Sequence, residues 1–389
     1  MPLNPALVAT PAPPVMEARR WLEGVTFPPE HPLLNLSQAA PVAPPPPPLQ
    51  EAMIAAMADP ATHLYGPVLG LPELRAALAA RMRAIYGGSI TPAQLAITSG
   101  CNQAFCAAIA ALAGPGDAVI VPTPWYFNHA MWLDMQGITS TALPCGDDML
   151  PDPDQAARLI TPRTRAIVLV TPNNPTGTEY PATLIAAFRD LARARGLALV
   201  VDETYRDFLS HDGPPHDLFT DPDWDDTLIH LYSFSKSYRL TGHRVGALAT
   251  SPARLAEIEK FLDTVTICPT TLGQRAALWG LEHLGDWLAG ERAEILRRAQ
   301  VLRDALATLP DWDLRGCGAY FAYIRHPFAM PSDHLARDLV RAAGVLLLPG
   351  TMFAPPTDRE APRHLRVAFA NADPAGIAAL AERLRGFDR

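Results

Sequence analysis

The sequence predicts an α/β fold: a large domain with a mostly parallel sheet sandwiched by helices, plus a smaller α+β domain. Three observations carry this expectation. Short runs of apolar residues recur between helical stretches, as at 118–121, 165–170 and 197–201. Runs that are apolar throughout suit strands covered on both faces, and their alternation with helices implies parallel pairing. Polar residues gather where these runs end, at Ser99, Asn174, Asp202, and Ser233 with Lys236. That is the edge where open α/β sheets place their ligands. After Pro310 the pattern changes to a second, separate set of strands and helices.

In chain order, residues 1–30 read as irregular apart from a short helix near 15–22, and 33–37 is a short apolar stretch. The proline cluster 44–48 reads as a stiff polyproline connector, and 51–58 has helical periodicity. Gly66 and Gly70 mark a loop. Pro72 suits the first turn of a helix running to about residue 86, because a first-turn N–H has no intrahelical partner to lose. A strand at 95–98 leads through Ser99 and Gly100 into an alanine-rich helix ending near 113. Strands follow at 118–121, 138–143, 165–170, 197–201, 229–232 and 245–250. Helices opening at 125 and spanning 153–160 and 181–195 lie between them. Helices at 252–265 and 271–289 and a long amphipathic one at 291–309 lead to Pro310. Beyond it, strands at 319–324, 344–348 and 364–370 alternate with helices at 332–343 and 374–386. The expected domains are 46–290 for the large one, and 1–45 with 291–389 for the small one.

Composition narrows the function. A chain of 389 residues is long enough for two domains or one large one. A net charge of −8 argues against a nucleic-acid partner, which would want a basic face. The five cysteines are scattered with no C-x-x-C spacing, so neither a disulfide framework nor a metal site is expected. That fits a reducing compartment, and a cytoplasmic location is expected. Residues 1–15 lack a basic stretch followed by an apolar core, and no apolar run is long enough to span a bilayer, so neither a signal peptide nor a membrane partner is expected.

The chemistry centres on residues 233–246. Of 32 lysines and arginines, only Lys236 and Lys260 are lysines. Lys260 lies in a charged helical pattern that reads as a solvated face. Lys236 sits at a strand end among hydroxyls, with Arg244 eight residues later. A lysine amine that condenses with an aldehyde, beside groups that hold an anion, suggests a Schiff base with pyridoxal phosphate. Asp202, ending an apolar strand, would hold a pyridine nitrogen protonated, though such an aspartate also caps turns. Asn174 and Tyr205 could donate to the ring oxygen. Tyr126 could stack on the ring, or be a core aromatic with Trp125 as its competitor. The turn at Gly100 and the main-chain N–H groups of Cys101 and Asn102 would meet the phosphate at a helix start. The hydroxyls of Ser233 and Ser235 and the planar fork of Arg244 would complete that cradle. Trp125, Tyr320 and Phe353, with Tyr126, could line an aromatic or aliphatic pocket.

The motifs Tyr65-Gly66, 99–103, 174–177, 202–205, Ser233-x-x-Lys236, Arg244-x-Gly246 and Arg366 occur in an order that resembles the class I/II, fold type I, pyridoxal-phosphate aminotransferases. The match spans roughly residues 34–370. The resemblance implies that Lys236 forms the Schiff base and then moves the substrate proton. It implies that Tyr65 reaches the phosphate of a neighbouring subunit, hence a homodimer with shared active sites. Arg366, with Asn174, would grip the substrate α-carboxylate. The stretch 36–41 is similar to the family's substrate-side segment, with Ala39 where a glycine is usual. The implied activity moves an amino group between an L-amino acid and a 2-oxo acid. A carbon–sulfur β-lyase or a cyclopropane-forming synthase on the same scaffold is the alternative. A non-enzymatic sensor fused to a DNA-binding head would need a basic helix-turn-helix segment, and the proline-rich first 50 residues offer none.

Overall fold

The computed structural model describes residues 1–387. A short strand, β1 (Leu34–Asn35), precedes the central sheet. That sheet contains β2 (Leu95–Thr98), β3 (Ala118–Thr123), β4 (Thr139–Pro144), β5 (Thr164–Val170), β6 (Ala198–Asp202), β7 (Leu228–Ser233) and β8 (Gly246–Ala249). Its spatial order is β2-β8-β7-β6-β5-β3-β4. β3 to β7 pair in parallel, with β4 alongside β3. β8 alone runs against its neighbours β7 and β2. Along β6 the side chains alternate between two cores: Leu199 and Val201 enter one, Ala198 and Val200 the other. Side chains of a strand point to opposite faces in turn, so a strand apolar at every position must be covered on both.

A second sheet is formed by β9 (Asp313–Gly318), β10 (Phe321–Arg325), β12 (Leu348–Pro349) and β13 (His364–Ala368), in the antiparallel order β12-β13-β10-β9. β11 (Val345–Leu346) lies beside it in sequence and pairs in parallel with β1. The N-terminal segment is thus tied to the C-terminal third of the chain by main-chain hydrogen bonds.

The helix Pro72–Tyr86 and the strand β2 coincide with the sequence expectation residue for residue. Several elements differ from it. β9 was not anticipated, because Gly316 and Gly318 break the alternation and most of its residues are only half-buried. Part of the proline cluster is helix rather than connector: Pro47 and Pro48 form the first turn of the helix Pro47–Met57. There a residue without an N–H loses no bond. The helix 332–343 is two pieces, an α-helix Ser332–Asp338 that continues as a π-helical stretch Leu339–Ala343. The expected domain boundary at 290/291 falls inside one helix, Gly285–Ala307, which separates from Thr271–His283 at Leu284. Leu288, Ile295, Ala299, Leu302 and Leu306 form one buried stripe along it. An exposed Gly290 costs about 1 kcal/mol of helix propensity, too little to break a rod held by five buried side chains.

The strand order brings the C-terminal ends of β2, β5, β6 and β7 to one edge, together with the start of β8. At that edge Gly246 sits in register between Thr98 and Ser233. A Cβ at Gly246 would lie 2.6 Å from the Cys101 nitrogen and from the Gly100 carbonyl carbon. Both are main-chain atoms that cannot swing aside. Gly246→Ala is therefore expected to destabilise the protein by about 1–3 kcal/mol, as overpacking does. The check is a lower denaturant midpoint at unchanged slope.

Candidate active site

A cavity of about 260 Å³ opens at this edge. Nine of the residues that sequence analysis marked for a cofactor line it: Cys101, Asn102, Tyr126, Asn174, Asp202, Tyr205, Ser233, Ser235 and Arg244. Lys236 lines it as well. Each arrives by a local rule. Asp202 is the last residue of β6, and Ser233 ends β7. The Ser233 Oγ accepts from the Ser235 N–H at 3.2 Å and caps a one-turn helix, Phe234–Ser237, that carries Lys236. Gly100 caps the helix Cys101–Leu112 with φ at +87°, a conformation that side chains disfavour. The Arg244 guanidinium occupies the space a Cβ at Gly100 would take. The N–H groups of Cys101 and Asn102 belong to the first turn of that helix, where no intrahelical acceptor exists.

Electrostatics set Lys236 apart. Burial, then the positive charges of Arg244 and Arg366, pull its amine from the ordinary 10.5 down to about 8. Its Nζ lies 6.0 Å from the centre of the Tyr205 ring. Lys260, by contrast, is mostly exposed and pairs with Glu257 at 2.7 Å. Asp202 is buried, and burial alone would raise its pKa. His129 and the Thr204 side chain and main chain outweigh that and hold the carboxyl below its ordinary value. The Thr204 N–H donates to Asp202 Oδ1 at 3.0 Å, the Cys101 thiol reaches the same oxygen at 3.6 Å, and His129 Nε2 lies 3.3 Å from Oδ2.

Arg366, on β13, comes from the second sheet; it does not line the cavity itself but bonds to Asn174, which does. It is 2% exposed, and its Nη1 donates to Asn174 Oδ1 at 3.0 Å. Its Nη2 donates to the Ser37 carbonyl. Its Cζ lies 4.9 Å from the Phe353 ring centre and 5.2 Å from that of Phe321, and its Nε has no hydrogen-bond partner among the described residues. Burial lowers its pKa to about 10, against the opposing influence of Tyr205 and Tyr126. With Asn174 Oδ1 committed to Arg366, the amide nitrogen of Asn174 is left to donate elsewhere.

Several residues lie differently from their expected places. Tyr65 is 80% exposed and outside the cavity of its own chain. In the 36–41 stretch, Gln38 and Ala40 line the cavity, while Ala39 packs against the core. Trp125, Tyr320 and Phe353 do not line it. Trp125 borders a separate groove, Tyr320 packs behind Tyr205 and Phe208, and Phe353 lies under Arg366. Sequence reasoning gave no role to His129, Thr204 or Thr241. His129 follows Tyr126 by three residues, one helical turn, and that spacing could have placed both on one side. Its ring stacks on Phe105 with centroids 3.7 Å apart.

Residues 31–384 match the family model for aminotransferase class I and II. The chain belongs to the class I and II aminotransferases. It is 32% identical to the aromatic aminotransferase ISS1 of Arabidopsis thaliana, over 84% of this chain and 82% of that one. It is 31% identical to the aspartate/prephenate aminotransferase of Thermus thermophilus, over 84% and 83%. The structure of the Thermus thermophilus aspartate aminotransferase with maleate superposes with a TM-score of 0.89 at 28% identity, covering 98% of both chains. This aminotransferase is accordingly a pyridoxal-phosphate enzyme that moves amino groups between amino acids and 2-oxo acids.

The residues present fit that cofactor. Lys236 and Arg244 line the cavity without a carboxylate paired to either among the described residues, which suits a ligand bearing an anionic phosphate. The lining also contains one ionised carboxylate, Asp202, for a protonated ring nitrogen. In the cofactor-free aminotransferase, Lys236 is expected to acylate half-maximally near pH 8. Below that pH the amine is protonated and unreactive; above it the amine is free. Mass spectrometry of the two lysine peptides, with exposed Lys260 as reference, reads the midpoint.

Proposed function

We propose that this enzyme is a cytoplasmic, homodimeric amino-acid aminotransferase whose reaction is carried by Lys236. The observation that bears most weight is the buried Lys236 amine, its pKa lowered to about 8, in a cavity it shares with Asp202, Asn174 and Arg244, with Arg366 bonded to Asn174 just behind the wall. When bound, pyridoxal phosphate supplies an aldehyde for attachment to an amine and a ring that draws electrons from the substrate Cα.

The chain's own residues divide the remaining tasks. The Gly100 turn, the main-chain N–H groups of Cys101 and Asn102, the hydroxyls of Ser233 and Ser235, and Arg244 would hold the phosphate. Asp202, steadied by His129, would keep the ring nitrogen protonated. Asn174 and Tyr205 would donate to the ring oxygen, and Tyr126 would cover the ring face. Arg366 takes the α-carboxylate with two parallel N–H bonds, beside Asn174 and the Ala39 segment. That grip orients the Cα–H bond, and the neutral Lys236 amine removes the proton. An amine with a pKa near 8 suits this role, because both of its protonation states are populated near neutrality.

Tyr65 serves the second subunit. Its exposure is shared by Ile54, Met57, Leu64, Val265 and Ile267, all large apolar side chains left open to solvent. Such a group is expected to be covered by another copy of the chain. The five cysteines are free, which supports a reducing location. Among the described residues, no helix is long and apolar enough to cross a membrane.

The decisive experiment adds single amino acids to the pyridoxal-phosphate-loaded enzyme and follows its visible absorbance. Aromatic and acidic amino acids come first, because the similar enzymes are named for them. The expected result is a band that is lost with an amino acid and restored by a 2-oxo acid, and that is absent in Lys236→Ala. A persistent band with pyruvate or ammonia accumulating would overturn transfer in favour of elimination. Arg366→Ala should raise KM for amino acids by about 100-fold or more, since it removes a buried charged pair to the carboxylate.

A further inference from the structure

We propose that Asp207 is a positioning residue for Lys236, acting through the hydroxyls of Ser237 and Tyr232. This rests on the reading of Lys236 as the attachment point. Lys236 stands on a helix of four residues, Phe234–Ser237. One helical turn fixes several dihedrals for few hydrogen bonds and has no stability of its own. Its place must come from what holds its two ends.

At the N-terminal end, Ser233 caps the turn, and the Phe234 N–H donates to the Val245 carbonyl at 3.1 Å. At the C-terminal end stands Ser237, the residue after the lysine. Its Oγ donates to Asp207 Oδ2 at 2.6 Å and lies 2.8 Å from the Tyr232 hydroxyl. Tyr232, on β7, donates to the same carboxylate oxygen at 2.7 Å. One buried oxygen therefore fixes two hydroxyls, one on the strand that delivers the lysine and one on the turn that carries it. Asp207 itself belongs to the short turn Arg206–Phe208, just beyond β6. It joins the segment after Asp202 to the segment after Ser233.

The cluster is backed by further buried groups. The Arg206 Cζ lies 4.1 Å from the Tyr232 ring centre, and its Nε is 3.6 Å from Asp207 Oδ1. Arg206 Nη1 donates to the Tyr86 hydroxyl at 3.3 Å, and Tyr86 donates to Glu203. His230 Nε2 lies 2.7 Å from that carboxylate. A chain of buried polar groups thus runs behind the sheet from Ser237, adjacent to Lys236, to Glu203, adjacent to Asp202. Asp207 does not line the catalytic cavity. Removing its carboxylate leaves the Ser237 and Tyr232 hydroxyls only each other, so one of their two protons loses its acceptor and the C-terminal end of the lysine turn loses its anchor to the segment after β6.

The test uses full-length protein carrying Asp207→Ala, Asp207→Asn, Ser237→Ala, or Asp207→Ala with Ser237→Ala. One readout is the dissociation constant for pyridoxal phosphate, from absorbance. The other is the pH of half-maximal acylation of Lys236 in cofactor-free protein, against Lys260. Asp207→Ala is expected to weaken cofactor binding about tenfold or more. It should also raise the Lys236 midpoint by about one pH unit as the amine leaves its buried place. Asp207→Asn, which keeps an acceptor oxygen, should recover most of both effects. The double variant should be no weaker than Asp207→Ala, within about twofold, because the two residues act in series. The proposal is overturned if Asp207→Ala moves neither readout, even with lowered thermal stability, or if the double variant shows the full product of the single effects. If Asp207→Ala does not fold, Ser237→Ala decides by whether the Lys236 midpoint shifts. A wild-type protein that gains no band with pyridoxal phosphate sinks the attachment role of Lys236 instead, and the acylation midpoints still judge Asp207.

Discussion

An amine becomes a nucleophile and base near neutrality only where its charged form is made uncomfortable. In this aminotransferase the discomfort comes from burial first, and then from two guanidinium groups, Arg244 and Arg366. Much of the architecture serves that condition. Arg244 is brought to the cavity by the reversed strand β8, and Arg366 by the separate antiparallel sheet. Arg244 comes near Lys236 when β7 and β8 pair in the central sheet, and Arg366 only when the second sheet docks beside it. The same two guanidinium groups are suited to the two anionic ends of the reacting molecules, phosphate and carboxylate. The charges that lower the lysine pKa are thus those that binding would neutralise.

Close packing of main chain on main chain makes the edge possible. Gly100 and Gly246 meet where β8 starts beside the first turn of the helix Cys101–Leu112. The absence of two Cβ atoms lets a helix N-terminus, an arginine and a strand end share one small volume. The backbone N–H groups there are left without acceptors, and an anion is what such a place accommodates. On the opposite side of the sheet, no carboxylate of the buried chain from Asp207 to Glu203 lines the cavity. Its groups anchor the turns that follow β6 and β7, the two strands that deliver Asp202 and Lys236.

Asp202 shows how environment decides a charge. Its burial favours the neutral acid, yet His129 and Thr204 keep the carboxylate ionised. A pyridine nitrogen facing an ionised carboxylate stays protonated, which is the state that withdraws electrons. His129 is held in turn by stacking on Phe105, so a core aromatic takes part in setting the electronics of the site.

Many of the residues that line the cavity were legible in the sequence because they stand at strand ends, and strand ends are marked by the change from apolar runs to Ser, Asn, Asp and Lys. The scarcity of lysine singled out Lys236, and the helix from Pro72 and the strand at 95–98 followed from local rules alone. The change of pattern after Pro310 marked a second set of strands, but periodicity ran helix past Leu284, where one helix ends and the next begins, and missed β9, whose glycines and half-exposed edge erase the alternation. Only the tertiary structure decided which side chains meet across long separations. Thr204 and Thr241 at the cavity and Asp207 beneath Ser237 carry no local mark, because hydrogen bonds between distant segments leave no periodicity to read. Arg366 lies 192 residues from the Asn174 it bonds, and its value depends on burial that only docking of the second sheet provides. Local sequence fixes backbone conformation through short-range sterics and hydrogen bonding; the charge state of a buried group is set by everything packed around it.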